Sequence, residues 1–141
     1  MPAHVHLATV TDQPLDAEKI KSLVADHTTG AVVVFSGDVR NHDHGREVIS
    51  LTYESHPSAA DVMESVVRTL ADQLDITHIA AAHRVGEIPI GESALVVAVG
   101  SSHRGDAFGA CREIVDQIKL QLPVWKHQHF ADGTEEWVNC A

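Results

Sequence analysis

The sequence predicts an α+β fold in which a mixed or antiparallel sheet carries helices on one side. Segments with the alternation of β-strands are interspersed with segments whose apolar residues recur every three or four positions, as on one face of an α-helix. Several strands are separated only by short turns, and such turns join antiparallel rather than parallel neighbours. Both observations disfavour a doubly wound parallel sheet. No repeat, low-complexity tract or linker interrupts the chain, so we expect one domain, residues 1–141.

The first third of the chain predicts two strands around one helix. The expected elements are a strand at 4–10, a helix from Asp16, a buried strand at 31–35 and a polar loop at 38–46. The helix would place Ile20, Leu23 and Val24 on one apolar face, with Gly30 beyond its end. The segment at 31–35 is a continuous apolar run rich in valine, a composition typical of a buried strand.

The middle of the chain predicts three further strands and a helix. These are a half-exposed strand at 48–54, a helix opened by Pro57-Ser58, and strands at 76–85 and 94–99. In the first strand Ile49, Leu51 and Tyr53 alternate with polar residues, so we expect these three side chains on one face. Ser58 and Asp61 have a spacing like that of a capping box at the start of the helix.

The last third predicts a long helix followed by a hairpin. The expected elements are a helix at 104–122, a strand at 124–130, a tight turn at Asp132-Gly133 and a last strand through Trp137-Val138. The helix ends before Pro123, which cannot continue it. Its apolar residues recur every three or four positions, at Ala107, Cys111, Ile114, Val115, Ile118 and Leu122.

The composition excludes several classes of function. A formal net charge of −10 argues against general binding to nucleic acid or to an anionic membrane. No apolar run reaches the length of about 18 residues that suggests a membrane-spanning helix, and the N-terminus lacks a secretory signal pattern. Cys111 lies on the apolar helix face and Cys140 is expected to be a terminal thiol, so the two cysteines predict no disulfide framework. We therefore expect a cytoplasmic protein.

Five basic or titratable residues stand at the ends of predicted elements. They are Arg40, His103, Arg104, Lys119 and Lys126. Lysine is scarce in this chain, with four in total, and Lys119 and Lys126 bracket the helix break at Pro123. If the five side chains converge, they form an anion-binding pocket within an acidic protein. The free N–H groups at the start of the 104–122 helix would add a binding site for phosphate.

Eleven histidines leave a metal-dependent hydrolase open as an alternative. Three pairs have the i, i+2 spacing of neighbours on one side of a strand: His4 and His6, His42 and His44, and His127 and His129. None is joined by an H-E-x-x-H motif or by cysteines, so we predict no metal site. No nucleotide-binding glycine motif is present either, and no cofactor is expected. Because no serine or cysteine stands in a nucleophile motif, a reactive group for sulfur or acyl chemistry must come from another molecule.

Motifs in several separate segments, from about Gly30 to Val138, follow one another in a characteristic order. They are G-A-V-V-V-F-S-G at 30–37 with V-R-N-H at 39–42, H-R-V-G-E at 83–87, S-H-R at 102–104 with A-F at 107–108, and K119 with P-V-W-K at 123–126 and W-V at 137–138. On these motifs the chain resembles the MoaE family, the large, catalytic subunits of molybdopterin synthase. The P-x-W-K and H-R-x-G elements are the most specific.

The resemblance implies an α/β-hammerhead fold and a homodimer at the centre of a heterotetramer. The outer chains would be small ubiquitin-like sulfur-carrier subunits, each inserting a C-terminal thiocarboxylate tail into a catalytic pocket. The substrate would be cyclic pyranopterin monophosphate (precursor Z), and two sulfur transfers would build the dithiolene of molybdopterin. Since the sulfur arrives on the partner, no catalytic cysteine is needed.

The resemblance also implies roles for individual residues. Lys119 and Lys126 would be catalytic, with Lys119 against the incoming thiocarboxylate. Substrate would be bound by Asp38, Val39, Arg40, His103, Arg104, His127 and Gln128. Many members carry lysine where this chain has Asp38, so one basic contact is missing. A non-catalytic, carrier-binding paralogue is a further alternative, and retention of both lysines speaks against it.

Overall fold

Nine strands and three helices form within residues 2–139, the part of the chain that our computed structural model describes. In chain order they are β1 (His4–Thr11), α1 (Ala17–Ser22), β2 (Ala31–Asp38), β3 (His42–Asp43), β4 (Arg46–Ser55), α2 (Ala59–Gln73), β5 (His78–Arg84), β6 (Gly86–Glu87), β7 (Ser93–Ser101), α3 (Arg104–Gln121), β8 (Val124–Phe130) and β9 (Glu135–Val138). Cys140, with its expected terminal thiol, lies outside the described residues.

The strands form two sheets, and the predicted α+β class is confirmed. The first sheet has the order β1-β5-β7-β2, in which β1 and β5 are parallel and the other neighbours antiparallel. The second sheet has the order β3-β4-β8-β9, with β6 also paired to β4, and all of its pairs are antiparallel. The predicted strand at 124–130 and the long helix before it are confirmed as β8 and α3.

Helices cover both faces of the first sheet, which corrects the expectation of helices on one side. On the central strand β5, Ile79 and Ala81 join the core beneath α2 and α3. The alternate residues Ala80 and Ala82 pack against Ile20 of α1 on the opposite face. A central strand that is buried at every position needs a layer on each side, and α1 supplies the second one.

The α1 helix is shorter than its apolar pattern predicts. It begins after Asp16, whose carboxylate accepts hydrogen bonds from the N–H groups of Glu18 and Lys19, and it ends at Ser22. Leu23 is therefore exposed instead of lying on the core face, whereas Val24 is fully buried. The chain beyond the helix approaches β7 closely enough that a Cβ on Gly100 would lie 2.0 Å from the carbonyl oxygen of Val24.

Two predictions about which strand residues are buried are wrong. The run at 31–35 is half-buried because β2 is the edge strand of its sheet and has only β7 beside it. In β4 the register shifts between Val48 and Ser50, which moves Val48 to the buried face and leaves Ile49 57% exposed. A bulge reverses the alternation of side chains at that point, so the apolar face begins with Val48 and continues with Leu51 and Tyr53.

The expected capping box of α2 does not form. Ser58 is the N-cap residue but its backbone is helical, and its side chain makes no capping hydrogen bond. The hydroxyl of Ser58 instead lies 2.8 Å from Nδ1 of His56. Within residues 2–139, none of the three helices combines the length and apolar character needed to cross a membrane.

Candidate functional site

A cavity of about 260 Å³ opens where residues of both sheets meet the C-terminal end of α3. It is lined by Gly37, Asp38, Val39, Arg40, Asp43, Leu51, Tyr53, His83, Ala94, Leu95, Lys119, Lys126 and Gln128. Six of the nine residues proposed from sequence are among them, namely Asp38, Val39, Arg40, Lys119, Lys126 and Gln128. The fold thus brings together groups that are up to 90 positions apart in the chain.

The two lysines reach the cavity from consecutive elements. Lys119 belongs to the last turn of α3, and Lys126 is the third residue of β8. Pro123 stands between these elements, where the helix cannot continue. On β8 alternate side chains face opposite sides of the sheet, so Gln128 points to the same side as Lys126. Both line the cavity.

His103 and Arg104 do not line the cavity of their own chain. His103 is the N-cap residue of α3 and Arg104 its first helical residue, and both are exposed. Lys119 lies fifteen residues further along the same helix, which at 1.5 Å per residue is a separation of about 22 Å. The expected convergence of all five basic or titratable groups therefore does not occur within a single chain.

His127 lies on the opposite face of β8 from Lys126 and Gln128, which corrects the expectation that it follows them along the pocket wall. Its ring stacks on the indole of Trp137, with ring centroids 4.0 Å apart and planes inclined by 8°. The reason is strand geometry, because adjacent residues of a strand point to opposite sides of the sheet.

Asp43 is a cavity residue that sequence patterns did not single out. It is buried, and its two carboxylate oxygens accept hydrogen bonds from the amide of Gln128 at 2.8 Å and from the guanidinium of Arg40 at 3.2 Å. The hydrogen bond from Gln128 is the main cause of a lowered pKa for Asp43, assisted by His44, Lys126 and Arg40. Asp43 thereby holds two proposed substrate-binding side chains in place.

The β3–β4 hairpin positions Asp43. Its turn contains His44 and Gly45 with φ of 50° and 77°, a left-handed pair that glycine tolerates well. The sequence signal for this hairpin is His44-Gly45, which lies within the stretch at 38–46 that is predicted to be a polar loop. Strand β3 is only two residues long, so no periodicity reveals it.

His83 is a second cavity residue whose importance appears only in the structure. It is fully buried, and its Nδ1 donates to the carbonyl oxygen of Arg84 at 2.7 Å. Because that nitrogen carries the proton, Nε2 of the neutral ring is an acceptor, and Nε2 has no hydrogen-bond partner among the described residues. Burial, with a smaller effect of Lys119, lowers the pKa of His83 to about 4. The ring edge also meets Tyr53, with centroids 4.8 Å apart.

Asp38 is held at the cavity rim by its own neighbours. Its carboxylate accepts a hydrogen bond from the hydroxyl of Ser93 at 2.8 Å and another from the hydroxyl of Ser36. These contacts join the end of β2 to the start of β7. The carboxylate is therefore engaged within the protein, and the adjacent Arg40 is the cation that this loop offers to a ligand.

The lining chemistry suits an anionic substrate, and the described residues that line the cavity include no thiol that could carry sulfur. Lys119, Lys126 and Arg40 supply the positive charge. Among the described residues, the lining contains no serine, threonine or cysteine. Cys111 is buried in the core, where desolvation raises its pKa to about 11. Fold and site together define the class as α+β proteins with a cationic cavity between two sheets.

Comparison with known proteins identifies the family within that class. The MoaE protein family matches residues 10–121. A molybdopterin synthase catalytic subunit from Nostoc sp. is 37% identical, over 92% of this chain and 80% of that protein. The crystal structure of molybdopterin synthase from Staphylococcus aureus superimposes with a TM-score of 0.84 at 29% identity, covering 92% of this chain and 95% of that one. The chain belongs to the MoaE family.

A third comparison concerns the fold alone. A complex of subunits 1 and 2 of molybdopterin-converting factor from Helicobacter pylori contains a chain with a TM-score of 0.72 and 18% identity, covering 92% of this chain and 88% of that one. At this identity the likeness shows that the same arrangement of strands and helices is kept.

Proposed function

We propose that this chain is the catalytic subunit of a molybdopterin synthase and acts as a sulfurtransferase in the cytoplasm. It would convert cyclic pyranopterin monophosphate to molybdopterin with sulfur from the thiocarboxylated C-terminus of a small carrier protein. The observation that carries the proposal is the convergence of Lys119, Lys126 and Arg40 on one cavity whose lining, among the described residues, has no serine, threonine or cysteine. Such a cavity can bind a phosphorylated substrate and stabilise developing negative charge, while the partner supplies the sulfur.

The cavity residues divide into groups that act on the reacting atoms and groups that hold the substrate. Lys119 would meet the incoming thiocarboxylate, stabilise negative charge during attack and transfer protons. Lys126 would assist and contact the pterin. Arg40, held by Asp43, suits a bidentate contact to phosphate. Nε2 of His83, which has no hydrogen-bond partner among the described residues, would accept a hydrogen bond from an N–H group of the substrate.

A second copy of the chain would complete the site. His103 and Arg104 stand at the far end of α3 from Lys119, so they reach a cavity only if it belongs to another protomer. A homodimer with these two residues contributed in trans is consistent with the exposed position of both. One carrier subunit at each cavity then gives the heterotetramer.

The direct test is reconstitution. Purified protein is mixed with thiocarboxylated carrier and precursor Z, and molybdopterin is assayed. We expect Lys119→Ala to abolish product while the circular dichroism spectrum stays unchanged. Lys21→Ala, which removes an exposed lysine of α1, is the matched control and should retain activity. Turnover like that of the wild type in Lys119→Ala would remove the assigned role. Carrier binding without any product from the wild type would favour the non-catalytic paralogue.

A further inference from the structure

Three potential metal ligands meet on the face of the second sheet that points away from the cavity. His127 and His129 are alternate residues of β8, so their rings lie on the same side of the sheet. Glu135 of β9 is directly opposite His129 in the antiparallel pairing. Residues that pair across neighbouring strands project to the same face, which places the carboxylate beside both rings.

The two distances from Glu135 to the imidazoles are close to those between ligands that share one ion. Oε2 of Glu135 lies 3.6 Å from Nε2 of His127 and 3.6 Å from Nδ1 of His129. One ligand atom from each residue lies within 4.8 Å of the other two. These separations are too long for hydrogen bonds. Ligands around a tetrahedral zinc ion, at bond lengths near 2.1 Å, stand about 3.4 Å apart.

A second histidine cluster in the same protein differs, because its members are joined by hydrogen bonds. Nε2 of His6 lies 2.8 Å from Nδ1 of His78, and Nε2 of His78 lies 2.7 Å from the carboxylate of Asp26. These are hydrogen-bond distances, so the polar atoms of that cluster already satisfy one another. The two imidazoles around Glu135 have similar chemistry, but they lie too far from its carboxylate to form hydrogen bonds with it.

His127 presents a ligand atom that the described side chains leave unsatisfied. Its Nε2 is buried but has no hydrogen-bond partner among residues 2–139, and a buried polar atom without a partner is unfavourable. Stacking on Trp137 fixes the ring plane. His129 and Glu135 remain 41% and 58% exposed as side chains, which leaves a path for an ion and for water to complete its coordination.

We propose that His127, His129 and Glu135 bind one zinc ion that clamps β9 to β8. Two imidazoles and a carboxylate are a ligand set that zinc accepts, with water in the remaining position. The ion lies on the reverse of the strand that carries Lys126 and Gln128, so its role is to stabilise that strand and not to activate water in the cavity. Glu136 takes no part, because it pairs with Arg46 at 3.2 Å.

The test is a calorimetric titration of the whole, chelator-treated protein with zinc chloride. The parent protein and all variants derived from it carry Cys140→Ser, so that the terminal thiol does not contribute to zinc binding. We expect one zinc per chain, and binding weakened about tenfold or more in Glu135→Gln and in His129→Ala. Zinc well above the Kd of the parent should raise the Tm of the parent by about 5 °C and that of Glu135→Gln by less.

The matched control is His6→Ala, which removes one imidazole from the other histidine cluster. It should bind zinc as the parent does. Three results would overturn the proposal: no zinc binding by the parent, equal affinity in the parent and both ligand variants, or loss of binding in His6→Ala. The first would mean that the three residues form an ion-pair cluster only. Circular dichroism at neutral pH verifies that each variant is folded.

Discussion

The buried imidazole of His83 couples the stability of this protein to pH. The folded-state pKa of about 4 lies below the ordinary value of 6.5, so between these values the unfolded chain binds more protons. The stabilisation is complete above pH 6.5 and is lost as the pH falls toward 4. We expect His83 to account for about 2 kcal/mol of the loss between pH 7 and pH 4.5.

Urea unfolding at pH 7 and pH 4.5 measures this effect. His83→Leu should show a smaller difference between the two pH values than the wild type, even if its stability at pH 7 is lower. His27→Gln, which removes an exposed imidazole, is the control and should keep the wild-type difference. An undiminished difference in His83→Leu would contradict the assignment.

Asp43 provides a second prediction for a single side chain. Asp43→Ala removes the acceptor for both Arg40 and Gln128, so each loses its orientation at the cavity wall. We expect the KM for the pterin substrate to rise about tenfold with a smaller change in kcat, because the residue positions binding groups and does not touch the reacting atoms. Asp43→Asn keeps one acceptor and should be less affected. A change confined to kcat would argue against positioning.

Among the elements, the contact between the end of α1 and β7 depends on one glycine. In Gly100→Ala the new methyl group would lie 2.0 Å from the carbonyl oxygen of Val24, and backbone cannot yield as a flexible side chain can. We expect a loss of about 2 kcal/mol or more in the free energy of unfolding. Gly109→Ala is the matched control, since nothing lies within 4 Å of its Cβ in α3, and it should stabilise by about 0.5–1 kcal/mol. Thermal unfolding of both variants checks the pair, and equal stabilities would contradict the close approach.

For the whole molecule, the separation of His103 and Arg104 from Lys119 predicts activity in trans. Lys119→Ala and Arg104→Ala are each expected to be inactive. If Arg104 acts in the cavity of the other protomer, a mixed dimer of the two variants contains one intact site. Random mixing after subunit exchange should then restore about one quarter of wild-type activity. No restoration, with mixed dimers verified by mass spectrometry, would show that the two residues do not cooperate across protomers.

Local pattern was sufficient to predict the α+β class, the helix and strand that carry Lys119 and Lys126, and the break between them at Pro123. Periodicity and proline geometry act over a few residues, and the printed chain contains them in full. Motifs in several separate segments added the family, and with it six of the thirteen residues that line the cavity. Local patterns predicted the wrong side-chain direction where pairing with a neighbouring strand introduced a bulge, as at Ile49.

Only the tertiary structure decided which distant groups meet. Asp43 and Gln128 are 85 positions apart, and the carboxylate of Glu135 joins His127 and His129 because of the register between β8 and β9. Such relations depend on strand pairing and side-chain direction, which arise when the sheets assemble and leave no pattern in the local sequence.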